Sequence, residues 1–491
     1  MAGEVVVTRV AFEGKTAIDD ANARIAKLRG CLLGRPEEVR ARELAHMSDF
    51  TRRRPRDEED PVKARRSTAL IATLALTIAA IIVGSVPAAA ASKSGGAPSV
   101  SFVRSDLSAG SPTDGTQYGS GGLTLSATET LGSGVYTDPF AALGPRDISY
   151  QSGTWTSAPV ASFAFDELVA SWNAETPDGT WIKVEMRGIG AGRTTKWYIL
   201  QFWASGDSTI HRTSRSGQGD ADGFVAIDTF IRSKKAAELT SYQLQLTLYR
   251  VAGSTQTPTV SFLGAMTSAA AKYSIPSAFT GVDIDLPVPT LSQETHAGHY
   301  PEYDGGGEAW CSPTSTAMVL DYWKAVGYAV SGPTSAQLAV FPGAHDDGQV
   351  DYAARYVYDW NYQGAGNWPN NTAYAATFPG MNGFVTRLRS LAEAERFIAA
   401  GIPLVASING NLPGFLFKKT NGHLLVIRGF TSSGDVITND PAVFANADAR
   451  KVYARDDFED VWLGGSAGIV YVIYPDGVAL PPNVEGPDKN W

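Results

Sequence analysis

The stretch SYQLQLTLY, residues 241–249, alternates without a break. Tyr242, Leu244, Leu246 and Leu248 fall on one face, and Gln243, Gln245 and Thr247 on the other. A strict period of two does not fit a helix and demands a strand with one apolar face. TWIKVEMR repeats the pattern at 180–187, and the turn-like GIGAGRTTK leads into the aromatic run WYILQFW at 197–203. Short alternating segments between Gly, Ser, Thr and Asp clusters fill residues 98–278, with no convincing helix among them. This region is expected to be an antiparallel β-sandwich of the jelly-roll kind.

The period changes near SIPSAFTGVDIDLPVP, residues 274–289. Beyond it PTSTAMVLDYWKAVG has helical spacing in Met318, Tyr322 and Val326, and SLAEAERFIAAG reads as a second helix closed by Gly401. IPLVASI, GHLLVIRGF, DVITND and GIVYVIY then read as strands. Helix first and sheet after predicts an α+β domain over residues 284–478.

Ahead of both domains, TALIATLALTIAAIIVGSV at 68–86 carries no charge, follows Lys63, Arg65 and Arg66, and runs into PAAAAS. A basic flank, an apolar core and small residues at Ala-x-Ala spacing read as an export signal spanning 47–91, cut near Ala91. An uncleaved single-span anchor is the alternative, since this length just crosses a bilayer. Residues 1–46 put a long mixed-charge stretch before the signal, so Met47 is the expected start and 1–46 an upstream extension. Either reading places the two domains outside the cytoplasm, secreted or associated with the cell surface.

Beyond residue 91 the chain keeps 26 basic and 38 acidic residues, a balance of −12. That is the wrong sign for a nucleic-acid binder, which needs clustered Lys and Arg against phosphate. Of the 2 cysteines, Cys31 precedes the signal, so Cys311 is left with no partner for an intramolecular disulfide. An exported lone thiol is buried and inert, paired with another chain, or reactive.

Three features put Cys311 at the start of a helix: the approach DGGGEAW, Pro313 within the first turn, and the periodic apolar residues that follow. A cysteine at a helix N-terminus is favoured as thiolate by the partial positive charge there. In NGHLLVIRGFTSSGDVITNDPAV, His423 stands on one strand, TSSG forms a turn, and Asp440 closes the next strand. With the hairpin centred between Ser432 and Ser433, Asp440 falls opposite Leu425, one diagonal step from His423 on the same face. The carboxylate can then fix the imidazole tautomer and stabilise the imidazolium. Nucleophile, base and orienting acid in the order Cys311, His423, Asp440 meet one need of acyl transfer. Gln293, in PTLSQETH, offers an amide for the other, an oxyanion donor beside the Cys311 N–H.

Together Gln293, WCSPTSTAMVLDYW, GHLLVI and NDPAV resemble the papain-fold cysteine peptidases related to the bacteriocin-processing, double-glycine-leader peptidases, family thirty-nine of the cysteine peptidases. The likeness is to the exported stand-alone branch found in Gram-positive bacteria, and covers roughly residues 284–475. It implies Cys311 as nucleophile, His423 as general base and acid, Asp440 as orienting residue and Gln293 as oxyanion donor. Ser312 departs from the pattern, since many relatives have Gly after the nucleophile. No GxxxxGK[ST] motif occurs, so coupling to a nucleotide-driven transporter is not expected.

The segment DWNYQGAGNWPNNTAYAA, residues 359–376, reads as a long aromatic loop suited to a cleft wall. Trp310 beside the cysteine, with Asn367 and Trp368 in that loop, are the expected substrate-binding residues. His296 and His299, near Glu294, Glu302, Asp304 and Glu308, make zinc conceivable, and His211 with DADG at 220–223 would be another metal site, but solvated loops are the preferred reading of both. His345 in GAHDDG competes weakly with His423 for the base. No metal and no cofactor is expected. Trp172, Trp181, Trp197 and Trp203 suit core packing better than a glycan groove. The expected function is a secreted cysteine peptidase acting on peptide or protein through an acyl-enzyme. Alternatives are a hydrolase of peptidoglycan stem peptides, a transferase using the same residues, and a non-catalytic protein that binds cell-wall polymer through the sandwich.

Overall fold

The computed structural model describes residues 99–109, 115–269, 276–330, 332–341, 346–483 and 488–491. The expected leader and upstream extension, and His345, lie outside them.

Residues 99–269 form two 7-stranded antiparallel sheets. The strand Leu239–Val251 lies inside one of them, between Arg146–Thr156 and Thr180–Gly190. Its Tyr242, Leu244, Leu246 and Leu248 are buried, as the alternation requires, against Leu123, Trp172, Val260 and Leu263 of the other sheet. At ~25 cal/mol per Å² of apolar surface, each fully buried leucine of this row contributes ~2 kcal/mol. The opposite face is not simply solvated: Gln243 and Thr247 are buried too, with Gln243 donating to the Ser157 carbonyl and accepting from Arg187. Trp172, Trp181 and Trp203 are fully buried. A ring enclosed on both faces has none left to stack on a sugar, so a glycan groove built on these three is excluded.

The third sheet is also 7-stranded and antiparallel, in the order Met381–Arg387, Ile469–Pro475, Leu404–Asn411, Lys419–Phe430, Val436–Asn439 and Arg450–Tyr453, with Ile284–Asp285 paired beside Phe430. The helix Cys311–Ala325 packs across the strand Lys419–Phe430. Polar pins fix its azimuth. Ser312 Oγ lies 2.9 Å from Tyr471 Oη, Ser315 Oγ donates to the Leu424 carbonyl at 3.2 Å, and Trp323 Nε1 donates to the Ile473 carbonyl at 2.9 Å. Ser312, the departure from the family pattern, thus ties the first turn of the helix to the sheet.

The segment 359–376 is not a single irregular loop. Its second half is the helix Trp368–Ala375, with Asn367 as N-cap accepting from the Asn370 N–H and Pro369 in the first turn. Those are ordinary start signals, hidden in the sequence by the density of aromatic and Asn residues. The first half lies against the two-sheet region: the Trp360 N–H donates to the Arg212 carbonyl, and its ring lies 4.5 Å from that of His211. Fully buried Arg212 returns a bond to the Arg355 carbonyl, and Asp207 pairs with Arg355 at 2.7 Å. Asp228, from a turn between strands of the first region, accepts the Trp368 N–H at 2.8 Å. Burial pushes its carboxyl up to about 6, against the lowering effect of that bond.

Candidate active site

Cys311 is the first residue of its helix. Its N–H is therefore one of the donors at the head of the helix that no helix carbonyl accepts. The approach is built from glycine for its backbone angle at Gly305 and Gly306 and for space at Gly307. Gly305 and Gly306 have φ of 85° and 116°, and a Cβ on Gly307 would lie 2.4 Å from the Gln293 carbonyl oxygen. That contact lays the cysteine's approach directly on the turn that carries Gln293. The Gln293 amide donates to the Glu308 carbonyl at 2.8 Å, and its N–H donates to the Pro441 carbonyl at 2.9 Å. Gln293 is thus fastened on one side three residues before Cys311 and on the other beside Asp440.

The hairpin reaches the expected register by two irregularities that cancel. The turn pairs Phe430 with Val436, one residue longer than a hairpin centred between Ser432 and Ser433. A bulge at Arg428 absorbs the extra residue, so Ile427 pairs with Thr438 and Val426 with Asn439. Arg428 is held in place by Asp285, the Val288 carbonyl and Asn439. Beyond Asn439 the chain sets Asp440 one diagonal step from His423, and His423 Nε2 lies 2.8 Å from Asp440 Oδ1.

Both side chains of this pair are fully buried. Burial disfavours the imidazolium, but the Asp440 carboxylate and its hydrogen bond outweigh it, with a further contribution from Cys311, and raise His423 to about 10. The Asp440 carboxyl is held below its ordinary value despite burial, by the charge and hydrogen bond of His423, the Tyr453 hydroxyl at 2.8 Å and the Ala442 N–H at 3.0 Å. The other ring nitrogen, His423 Nδ1, makes no hydrogen bond among the described residues. Cys311, half-buried, comes close enough to the ring to raise its pKa through the hydrogen-bonding reach of its thiol as well as its charge. Nε2 bound to the acid and Nδ1 open leave one ring nitrogen to exchange a proton near the thiol. The buried Phe415 ring, 5.1 Å from the His423 ring, shields the pair from water.

Two of the expected substrate contacts are corrected. Trp310 is fully buried, its Nε1–H spent on the Tyr303 carbonyl at 2.6 Å. Asn367 is buried as a helix cap and donates to Asp359 at 2.8 Å. Neither offers a free face or an uncommitted donor. Trp368 is partly buried against the same core. His296 is no solvated loop residue either: it is fully buried, with Nδ1 3.1 Å from Asp351. His211 pairs with Asp138 at 2.8 Å rather than with the aspartates at 220–223, of which Asp220 accepts from Tyr198. Tyr453 and Phe415 escaped the sequence reading. Tyr453 sits in a strand with only alternation to mark it, and Phe415 in a loop with no motif.

Residues 285–467 match the model of the peptidase C39-like family, and residues 103–268 match that of the peptidase C39 N-terminal domain. Both regions are therefore similar to C39-like peptidases, the third-sheet region to the peptidase itself and the two-sheet region to its N-terminal domain. A crystal structure described as a C39-like peptidase from Bacillus anthracis is similar at 18% identity, over 39% of this chain and 96% of that one, with a TM-score of 0.24. A likeness that slight bears no weight for the fold. No curated protein matches the chain.

Proposed function

We propose that this protein is a secreted cysteine peptidase with a papain-like catalytic domain behind a jelly-roll-like sandwich, cleaving amide bonds through an acyl-enzyme. The observation that carries the reading is the buried 2.8 Å contact between His423 Nε2 and Asp440, with Nδ1 left open near Cys311. The Cys311 thiolate attacks the scissile carbonyl carbon, and the electrons of the C=O bond move onto its oxygen. The Cys311 N–H stabilises that oxyanion, joined by the Gln293 amide once it gives up a bond to Glu308 or Glu294 that it makes at rest. The tetrahedral species collapses, the C–N bond breaks, and the His423 imidazolium gives its Nδ1 proton to the leaving amine. Neutral His423 then takes a proton from water as the water oxygen attacks the thioester. Breaking the C–S bond releases the acid and restores thiolate and imidazolium. An imidazolium with its pKa raised to about 10 is present at neutral pH, as the first proton transfer requires.

The substrate class is peptide or protein, as the family implies. Export rests on the apolar segment at 68–86 and its basic flank. A casein or peptide-library digest by the purified chain tests the reading, with a Cys311→Ala variant and a thiol-directed electrophile. Cleavage and labelling are expected together, both lost in the variant. Cleavage that survives Cys311→Ala, or a folded chain whose thiol never reacts, overturns it.

A further inference from the structure

A second histidine cluster lies on the turn that carries Gln293. His296 and His299 both direct Nδ1 at Asp351, which comes from the first turn of the helix Gly348–Val357. The two nitrogens take different oxygens of the carboxylate, each at 3.1 Å, and the three donor groups lie within 4.8 Å of one another. Asp351 and His296 are fully buried, and His299 is 22% exposed.

Three properties of this cluster suit a bound metal ion. The first is distance, which an ordinary hydrogen bond also allows. The other two histidine–aspartate contacts among the described residues close to 2.8 Å, the length of a charge-assisted bond. Two ligands each about 2.1 Å from a zinc ion are separated by roughly 3.0–3.4 Å, and 3.1 Å falls in that interval. The second is charge. Among the described residues no Lys or Arg forms an ion pair with Asp351, so a fully buried carboxylate has only two imidazoles as counter-groups. Burying a carboxylate without a cation is costly, and a divalent ion removes that cost. The third is donor type. Two imidazole nitrogens and one carboxylate suit zinc and its first-row neighbours, and are a poor set for calcium or magnesium, which take oxygen.

We propose that His296, His299 and Asp351 bind a divalent transition-metal ion of the zinc class. The ion joins the turn at 292–299 to the helix Gly348–Val357, with the partly exposed His299 side left for water or a further ligand. The consequence for the reactive centre, that the ion steadies Gln293, rests on the reading of Gln293 given above; the site itself does not.

The test uses the full chain carrying Cys311→Ala, so that the thiol cannot bind zinc. After chelation and dialysis, zinc is titrated calorimetrically and thermal unfolding is followed with and without it. One ion per chain and a raised unfolding temperature are expected. His299→Ala is expected to weaken binding by at least about tenfold. A chain that takes up no zinc in excess metal, or binds it equally well after His299→Ala, overturns the proposal. Should His299→Ala fail to fold, cobalt(II) added to the Cys311→Ala chain decides. Visible absorption of a nitrogen- and oxygen-ligated ion supports the site, and the spectrum of free aqueous cobalt overturns it. No readout is activity, so failure here leaves the assignment of Cys311 untouched.

Discussion

His211 in the two-sheet region and His423 in the third sheet each lie 2.8 Å from an aspartate that is almost wholly buried, yet only one of these pairs has the makings of a reactive centre. His211 takes both its ring and its backbone N–H to Asp138, and the ring is closed off by Trp360 at 4.5 Å. It works as a fastener between the two regions. His423 binds its acid through Nε2 and keeps Nδ1 open, while Cys311 enters its electrostatic surroundings from the start of a separate helix. A histidine on a carboxylate is thus a common structural unit. What distinguishes the reactive one is a third group, brought by another element, at the nitrogen the acid does not use.

The sharpest way to break this contrast is to delete each partner in turn. Cys311→Ala and His423→Ala are expected to lower kcat/KM by ~10⁴-fold or more, since members of such a set act as a unit. His211→Ala touches no reacting atom and is expected to leave kcat/KM within about twofold while lowering the unfolding temperature. A large loss of activity from His211→Ala with the fold intact would erase the distinction.

The next effect concerns pH. With His423 raised to about 10, kcat/KM is expected to hold through the neutral range and fall near pH 10. In Asp440→Asn the charge that raises it is gone, and that basic limb should move down toward the ordinary histidine value of about 6.5. Stability follows with the sign set by linkage. A raised His423 stabilises fully below about 6.5, the unfolded value, and loses this as pH rises toward 10. A lowered Asp440 stabilises fully above about 3.9, and loses this as pH falls through its folded value. The pair therefore contributes most between about pH 4 and 6.5. Unfolding temperatures of His423→Ala against the parent should show the difference shrinking on the alkaline side. A constant difference across pH would mean the imidazolium is not what Asp440 holds.

Smaller effects probe the supports. Tyr453→Phe removes the hydroxyl from Asp440 and is expected to cost about 1.5–3 kcal/mol in denaturant unfolding, the range for a hydrogen bond to a charged group. It should also shift the basic limb of kcat/KM slightly, whereas a loss at the His211 pair should not. Smallest is Glu167→Gln, which weakens the contact to Arg387 between the two regions. Because Glu167 is partly exposed, the change is expected to stay under about 1 kcal/mol, with activity unaltered.

Much of this was legible along the chain. Unbroken alternation at 241–249 can only be a strand, and the glycines and proline around Cys311 mark a helix start whatever lies beside it. These signals are local, since backbone geometry and turn chemistry act over a few residues. The pairing of His423 with Asp440 was legible for the same reason: only a short turn separates their strands. Even there the register depends on a cancellation that no residue pattern marks, a longer turn offset by the bulge at Arg428. The burial of Trp310 and Asn367 was not legible, because a residue's distance in sequence from a nucleophile does not say which way its side chain points.

Two regions of different period, a cysteine at a helix start, and a hairpin that brings an imidazole to a carboxylate can all be read along the chain alone. It takes the packed molecule to show that Phe415 and Tyr453 enclose that pair, that Gly307 lets the Gln293 turn lie on the approach to Cys311, and that Asp351, 52 residues beyond His299, faces both histidines. Such meetings depend on how separate elements pack once the apolar faces are buried. Packing is set by the whole core together, and no spacing between two residues records it.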